Sequence, residues 1–279
     1  MSSLLLARFI YIYPFSPAFD WAQASDSFFQ IILVASIAIF AHMTITWSFK
    51  LALLLFVISG FVSSVAEILG LTTGLPFGTL YRYHPDIQTR ITEELPLAIP
   101  LAWFIVCCLP LILLRPWLLH ADPASGGGNE EGLPRALIAR QVVISALVLT
   151  ACDLFLEPLS VYTGYWTWIQ QGHYFGAPVT NFLGWFCVGL IIFSLFFYIK
   201  NRWFRHAANA SSHLDHPLIG LVLFWIIVAL TLIGYKLDNL VPVWLTALIL
   251  GPFLYLRVCK ERQIRAAITP AEDKRDGPG

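Results

Sequence analysis

The chain has 279 residues, of which 58% are hydrophobic and 12% charged, with 17 Lys+Arg balanced by 17 Asp+Glu and a mean hydropathy of +0.72. A soluble chain carries about 25% charged residues, so this composition belongs to a protein dissolved in lipid. The balanced charge leaves no basic field to hold nucleic acid, and the apolar surplus is the opposite of a disordered chain.

Residues 1–26 contain Arg8, Tyr11, Tyr13 and Pro14, and the early apolar stretch is too short and too aromatic to span a membrane. We read them as an interfacial segment. Ala22-Gln23-Ala24 resembles a signal-peptidase site, but the stretch before it is broken by Arg8 and two prolines. A membrane helix needs about 20 apolar residues. Runs at 27–47, 49–69, 96–119, 136–157, 179–200, 217–235 and 239–258 meet that need. They predict an all-α polytopic domain over 27–258, followed by a tail at 259–279. Segment 120–135, with Gly126-Gly127-Gly128, and the tail after Arg265 read as flexible connectors. Cys107, Cys108, Cys152, Cys187 and Cys259 lie in or beside apolar runs. Their odd number and lack of a CxxC pair argue for core packing rather than disulfides or zinc.

Seven spans put the termini on opposite sides. Arg8, Arg82, Arg90 and Lys236 fall on the N-terminal side, and the other thirteen of the 17 cations fall on the C-terminal side. The positive-inside rule then places the C-terminus in the cytoplasm.

The opposite face collects the chemistry. Glu67, Asp153 and Glu157 lie in or at the ends of spans two and four. An ionisable group in hydrocarbon costs about 2.5–3.5 kcal/mol on insertion scales and is a functional hypothesis by default. Loops 73–78 and 162–178, Asn181 and Asp238-Asn239 share that side. A weak internal repeat runs through it: six residues after Glu67 comes Thr73-Gly74, then Phe77-Gly78, Pro100 and Trp103-Phe104. Six residues after Glu157 comes Thr163-Gly164, then Phe175-Gly176, Pro178 and Trp185-Phe186. This is the pattern of a parallel duplication of a helical hairpin, with two acids in equivalent places. Each feature also has a structural reading. Glu67 would pair with Arg82 or cap a neighbouring helix, Asp153 would bond a helix end or Arg140, and Glu157 would sit at the wet interface. Tyr162, Tyr165, Trp166, Trp168 and Tyr174, taken alone, read as an interfacial belt. Their coincidence at one depth is what points to a site.

Other membrane chemistries find no support. The seven histidines are scattered, with His206, His213 and His216 in a basic loop, unlike paired di-iron boxes. Span seven lacks a Schiff-base lysine, since Lys236 precedes it. No aspartate-rich magnesium motif and no phosphate-cradling glycine loop occurs. A proton-relaying transporter stays open at this point.

Ala66-Glu67 through Phe77-Gly78 with Tyr81 and Tyr83, Pro100-Leu101-Ala102-Trp103, Asp153 with Glu157-Pro158, Gly164 to Trp168, and Tyr174 through Trp185 together resemble one family. It is the membrane-bound carotenoid biosynthesis family of carotenoid 1,2-hydratases, which includes γ-carotene hydratase and bisanhydrobacterioruberin hydratase. The resemblance covers roughly 50–255 and is densest from Asp153 to Trp185. Where members commonly carry aspartate before proline, this chain has Glu157-Pro158. The resemblance implies addition of water to the terminal double bond of an acyclic carotenoid end, giving a tertiary alcohol without a cofactor. It does not say which acid acts.

Such a hydration needs a proton on one alkene carbon, a stabilised tertiary cation on the other, and then water. A carboxyl group donates that proton only while it stays protonated, a state that desolvation favours, and Glu67 at the hydrocarbon edge fits. Trp103, Tyr165, Trp166, Trp168 and Trp185 offer electron-rich faces to the cation, and Tyr81 and Asn181 complete the expected substrate-binding set. Asp153 or Glu157 would position water and accept its proton. An extended carotenoid is about as long as the hydrocarbon core is thick, roughly 30 Å, so its end group reaches the interface. The expected partners are therefore an acyclic or monocyclic carotenoid, water, the bilayer of a bacterial or archaeal cell membrane, and neighbouring enzymes of carotenoid biosynthesis. A carotenoid-binding or transport protein and an end-group cyclase are the alternatives.

Overall fold

The computed structural model describes residues 21–119, 135–204 and 248–259, apart from 254 and 257. Five helices carry the fold: α1 (Trp21–Thr46), α2 (Phe49–Thr73), α3 (Ala98–Leu119), α4 (Arg135–Thr163) and α5 (Val179–Trp203). They run from 22 to 29 residues, or about 33–44 Å at 1.5 Å per residue. All five are long and apolar enough to cross a membrane. This is the all-α polytopic architecture that the composition requires. Span six at 217–235 and the first part of span seven lie outside the described residues, and so do Arg8, residues 120–134, the three loop histidines, Lys236, Asp238-Asn239 and the distal tail. Of span seven, residues 248–253 are helical.

Helices α2, α3, α4 and α5 form a ring in which each packs on its sequence neighbour and α2 closes against α5, while α1 lies against α2 and α3. Large aromatic and aliphatic side chains fill the interior, among them Trp47, Phe104, Phe155, Phe193, Phe196 and Leu55. Between α4 and α5 the backbones approach at Gly189, where an added Cβ would lie 2.9 Å from Leu149 and 3.2 Å from Ala146. Local chemistry sets the ends of α2. The Ser48 side chain accepts the Leu51 N–H, an N-terminal cap. Gly74, in the left-handed region at φ 82, returns its N–H to the Gly70 carbonyl, an arrangement that favours glycine.

The observed elements differ most from the sequence reading in three places. Helix α1 begins at Trp21, inside the segment read as interfacial. Helix α4 runs six residues past the expected end at 157, through Pro158 to Thr163. The two loops contain strands, β1 (Tyr81–Tyr83) and β2 (Trp166–Trp168), which pair antiparallel with Tyr81 opposite Trp168 and Tyr83 opposite Trp166.

Proline inside a helix removes the N–H that would bond the carbonyl four residues back. For Pro158 that carbonyl belongs to Leu154, and the Tyr174 hydroxyl donates to it at 2.7 Å. A side chain from the following loop thus replaces the lost bond, which a reading of local sequence does not reveal. Burial, and secondarily Asp153, push the Tyr174 hydroxyl up to about 12, so it remains a donor.

The internal repeat is visible in this frame. The order α2–β1–α3 recurs as α4–β2–α5, the two strands pair with each other, and Trp103 of α3 stacks on Trp185 of α5 with ring centroids 4.0 Å apart and planes 15° from parallel.

Candidate functional site

The site is assembled where α2, α4 and the start of α5 meet the two-stranded ribbon. Successive residues of a strand face opposite ways, so Tyr81 and Tyr83 of β1, and Trp166 and Trp168 of β2, line one face of the ribbon. Tyr81 and Tyr83 are buried while Arg82 between them is exposed. Across the strands the rings pack in pairs, Tyr81 on Trp168 at 4.9 Å and Tyr83 on Trp166 at 6.0 Å. The ribbon closes over the ends of α2 and α4 because Gly70, one turn beyond Glu67, leaves room for it. An added Cβ there would lie 2.7 Å from the Phe77 ring and 2.9 Å from the Tyr81 ring.

Beneath the ribbon lie three buried carboxyls. Glu67 receives the Tyr81 hydroxyl and, at 2.6 Å, the Tyr83 hydroxyl on Oε2. Its Oε1 receives the Trp103 indole N–H at 2.9 Å. Burial first, and then Glu67, hold the Tyr81 and Tyr83 hydroxyls well above the ordinary tyrosine range, so both stay protonated. Glu157 receives the indole N–H groups of Trp166 at 2.7 Å and Trp168 at 2.5 Å, both on Oε1. The Asn181 side-chain amide bridges the remaining pair, donating to Asp153 Oδ2 at 2.7 Å and to Glu157 Oε2 at 3.0 Å. Asp153 Oδ1 is buried and has no hydrogen-bond partner among the described residues.

The expected ion pairs do not form. Among the described residues no cationic side chain lies within salt-bridge distance of the three acids. Arg82 is on the outer face of the ribbon, and Arg140 is exposed, about 20 Å from Asp153 at the helical rise. Nor does Glu157 sit in open water: it is 1% exposed, because α4 continues past it and the ribbon covers it. Trp103 and Trp185 stack inside the bundle. Tyr165 is buried between Phe28 and Tyr83, and burial raises its hydroxyl above the ordinary range. Tyr162 is exposed. Beyond β1 a cavity of about 630 Å³ is lined by Tyr81, Tyr83, Arg90, Glu93 and Glu94 among others, and it brings open space to the tyrosines that hold Glu67. No group of three or more histidine, cysteine, aspartate or glutamate side chains suited to a metal ion occurs among the described residues.

Two functional positions escaped the sequence reading as individual residues. Tyr83 appeared only within a motif, and Tyr174 only within a belt. For the ribbon a signal existed: Tyr81-Arg82-Tyr83 and Trp166-Thr167-Trp168 both read aromatic–polar–aromatic, the period of a strand with one buried face.

A family model described as carotenoid biosynthesis protein matches residues 27–252. No curated protein and no solved structure matches the chain.

Proposed function

The chain belongs to the carotenoid biosynthesis protein family, and from that premise we propose that it is a cofactor-independent carotenoid 1,2-hydratase, a hydro-lyase. It adds water to the terminal double bond of an acyclic carotenoid end group and leaves a tertiary alcohol. The observation that carries this reading is the convergence of Glu67, Asp153 and Glu157 under an aromatic ribbon at one end of a membrane bundle. Protonating a trisubstituted alkene needs a carboxyl group shielded from bulk water, and the ensuing cation needs π faces, each worth about 0.5–2 kcal/mol. The rings of Tyr81, Trp103, Tyr165, Trp166, Trp168 and Trp185 surround the acids at that depth. Asn181 acts here through the acids rather than on the substrate, because its amide is engaged by Asp153 and Glu157.

The catalytic domain, on this proposal, is 27–258, and the substrate enters from the bilayer of a bacterial or archaeal cell. The acids face away from the cytoplasm, while Lys50, Arg115, Arg135 and Lys200 occupy the opposite helix ends and the C-terminal tail is cytoplasmic. Reporter fusions after Phe77 and Arg262 test the orientation; a cytoplasmic signal at Phe77 with an external one at Arg262 reverses it.

The activity is tested by co-expression with an acyclic carotenoid pathway and mass analysis of the extracted pigments. A hydratase adds the mass of one water. A cyclase changes the absorption spectrum at constant mass, a binding or transport protein changes neither, and either result overturns the reading.

A further inference from the structure

The six oxygens of the three acids are not equivalent. Glu67 Oε1 and Oε2, Glu157 Oε1 and Oε2, and Asp153 Oδ2 each accept at least one hydrogen bond. Asp153 Oδ1, wholly buried, accepts none among the described residues. The donors differ as well. Indole N–H and amide NH₂ groups can only donate, so every partner of Glu157 treats it as an acceptor. Protonating Glu157 Oε1 would set its O–H against two indole N–H groups. The phenols on Glu67 can donate or accept, but a proton on Oε2 would point at a tyrosine rather than at an alkene. Asp153 Oδ1 is the one oxygen of the six that no donor among the described residues stabilises as an anion, and a bare buried carboxylate oxygen is costly, so the proton rests there.

The duplicated frame sharpens the contrast. Four residues before Glu157 stands Asp153, and four before Glu67 stands Ser63, which is buried and bonds back to the Gly60 carbonyl at 3.3 Å. Four residues before Trp185 stands Asn181, and four before Trp103 stands Ile99. Only the second half carries an acid beside its glutamate and an amide to bridge the two.

Resting on the hydratase reading, we infer that the reaction belongs to the second half of the duplication, with Asp153 Oδ1 as proton donor. The Oδ1–H bond breaks as a C–H bond forms at one alkene carbon, and the π electrons leave the other carbon as a tertiary cation. Water oxygen bonds that cation and its proton passes to Glu157 Oε2, which accepts only the Asn181 N–H and has a lone pair to spare. Transfer of that proton to Asp153 restores both acids, so alkene and water give alcohol with nothing consumed. Asn181 is the positioning residue that holds the two carboxyls in register, and Glu67 anchors β1 and the Trp103 indole without exchanging a proton.

Infrared spectroscopy of the purified full chain in lipid, with hydrogen–deuterium exchange, tests the proton's location. A protonated carboxyl group shows a high-frequency C=O stretch that shifts in D₂O. We expect this band in the wild type, in Glu67→Gln and in Glu157→Gln, and its loss in Asp153→Asn. Should Asp153→Asn fail to accumulate, the other two variants decide: loss of the band in Glu67→Gln or in Glu157→Gln, or its absence from the wild type, overturns the inference. In activity per mole of folded protein, Asp153→Asn falls about 10²–10⁴-fold, Asp153→Glu recovers part of the loss, and Glu67→Gln falls less than Asp153→Asn. Near wild-type activity in Asp153→Asn also overturns it. Failure of the hydratase reading looks different: the wild type then makes no product heavier by one water, while the band still maps to Asp153.

Discussion

The two halves of this bundle hold their glutamates by the same device with different chemistry. In each, a glutamate lies six residues before the end of its helix, and a glycine with positive φ follows that end, Gly74 at 82° and Gly164 at 68°. In each, the first and third residues of the next strand donate to that glutamate. The first half uses phenols, which both donate and accept; the second uses indoles, which only donate. The first half has Ser63 and Ile99 where the second has Asp153 and Asn181. A symmetric scaffold thus supports an asymmetric site, and comparison of the halves separates what the frame needs from what the chemistry needs. Any duplicated fold needs its helix ends capped and its ribbon anchored. A buried pair of carboxyls sharing one amide has no structural necessity, and burying it costs stability.

Making the second half resemble the first is the sharpest way to break this contrast. The double substitution Asp153→Ser with Asn181→Ile should remove product formation by about 10²-fold or more, measured as tertiary alcohol per mole of folded protein. Glu157→Gln should be milder, about tenfold to 10²-fold, because water loses its proton acceptor while the donor stays; a loss equal to that of Asp153→Asn would merge the two roles. Glu67→Gln separates anchoring from chemistry. Its amide keeps the shape but offers an NH₂ where Oε1 or Oε2 accepted, so unfolding in lipid or detergent should shift by about 1–3 kcal/mol, while activity per folded molecule should fall less than in Asp153→Asn. Tyr174→Phe strips the donor from the Leu154 carbonyl and should cost about 0.5–1.5 kcal/mol; unchanged thermal stability would mean that α4 tolerates Pro158 unaided. Gly74→Ala and Gly164→Ala each force a side chain into the left-handed region at a cost of about 1–2 kcal/mol, and Gly74→Ala should cost the more, because its Cβ would lie 3.0 Å from the Thr79 backbone while that of Gly164 meets nothing within 4 Å; equal losses in unfolding experiments would contradict this.

The sequence by itself determined the medium, the position of the described spans, the gathering of the acids toward one end of the bundle, and the repeat. All of these follow from composition and period, because a bilayer accepts only long apolar helices and charges the same penalty to any acid within them. Membership of the carotenoid biosynthesis family was likewise legible, since it rests on ordered motifs. Tertiary structure decided what each acid touches. Arg82 lies close enough to Glu67 in sequence to suggest an ion pair, but strand alternation turns it outward and turns Tyr81 and Tyr83 inward. Pro158 marks the end of a span to a local reading, yet α4 passes through it because Tyr174, sixteen residues on, supplies a donor to Leu154. Asp153 and Glu157 are a single turn apart in any helix, but their bridge is Asn181 from the next helix. Hydrogen bonds between distant segments depend on which faces the packing brings together, and that information is absent from the local pattern of a chain whose helices are apolar on nearly every side.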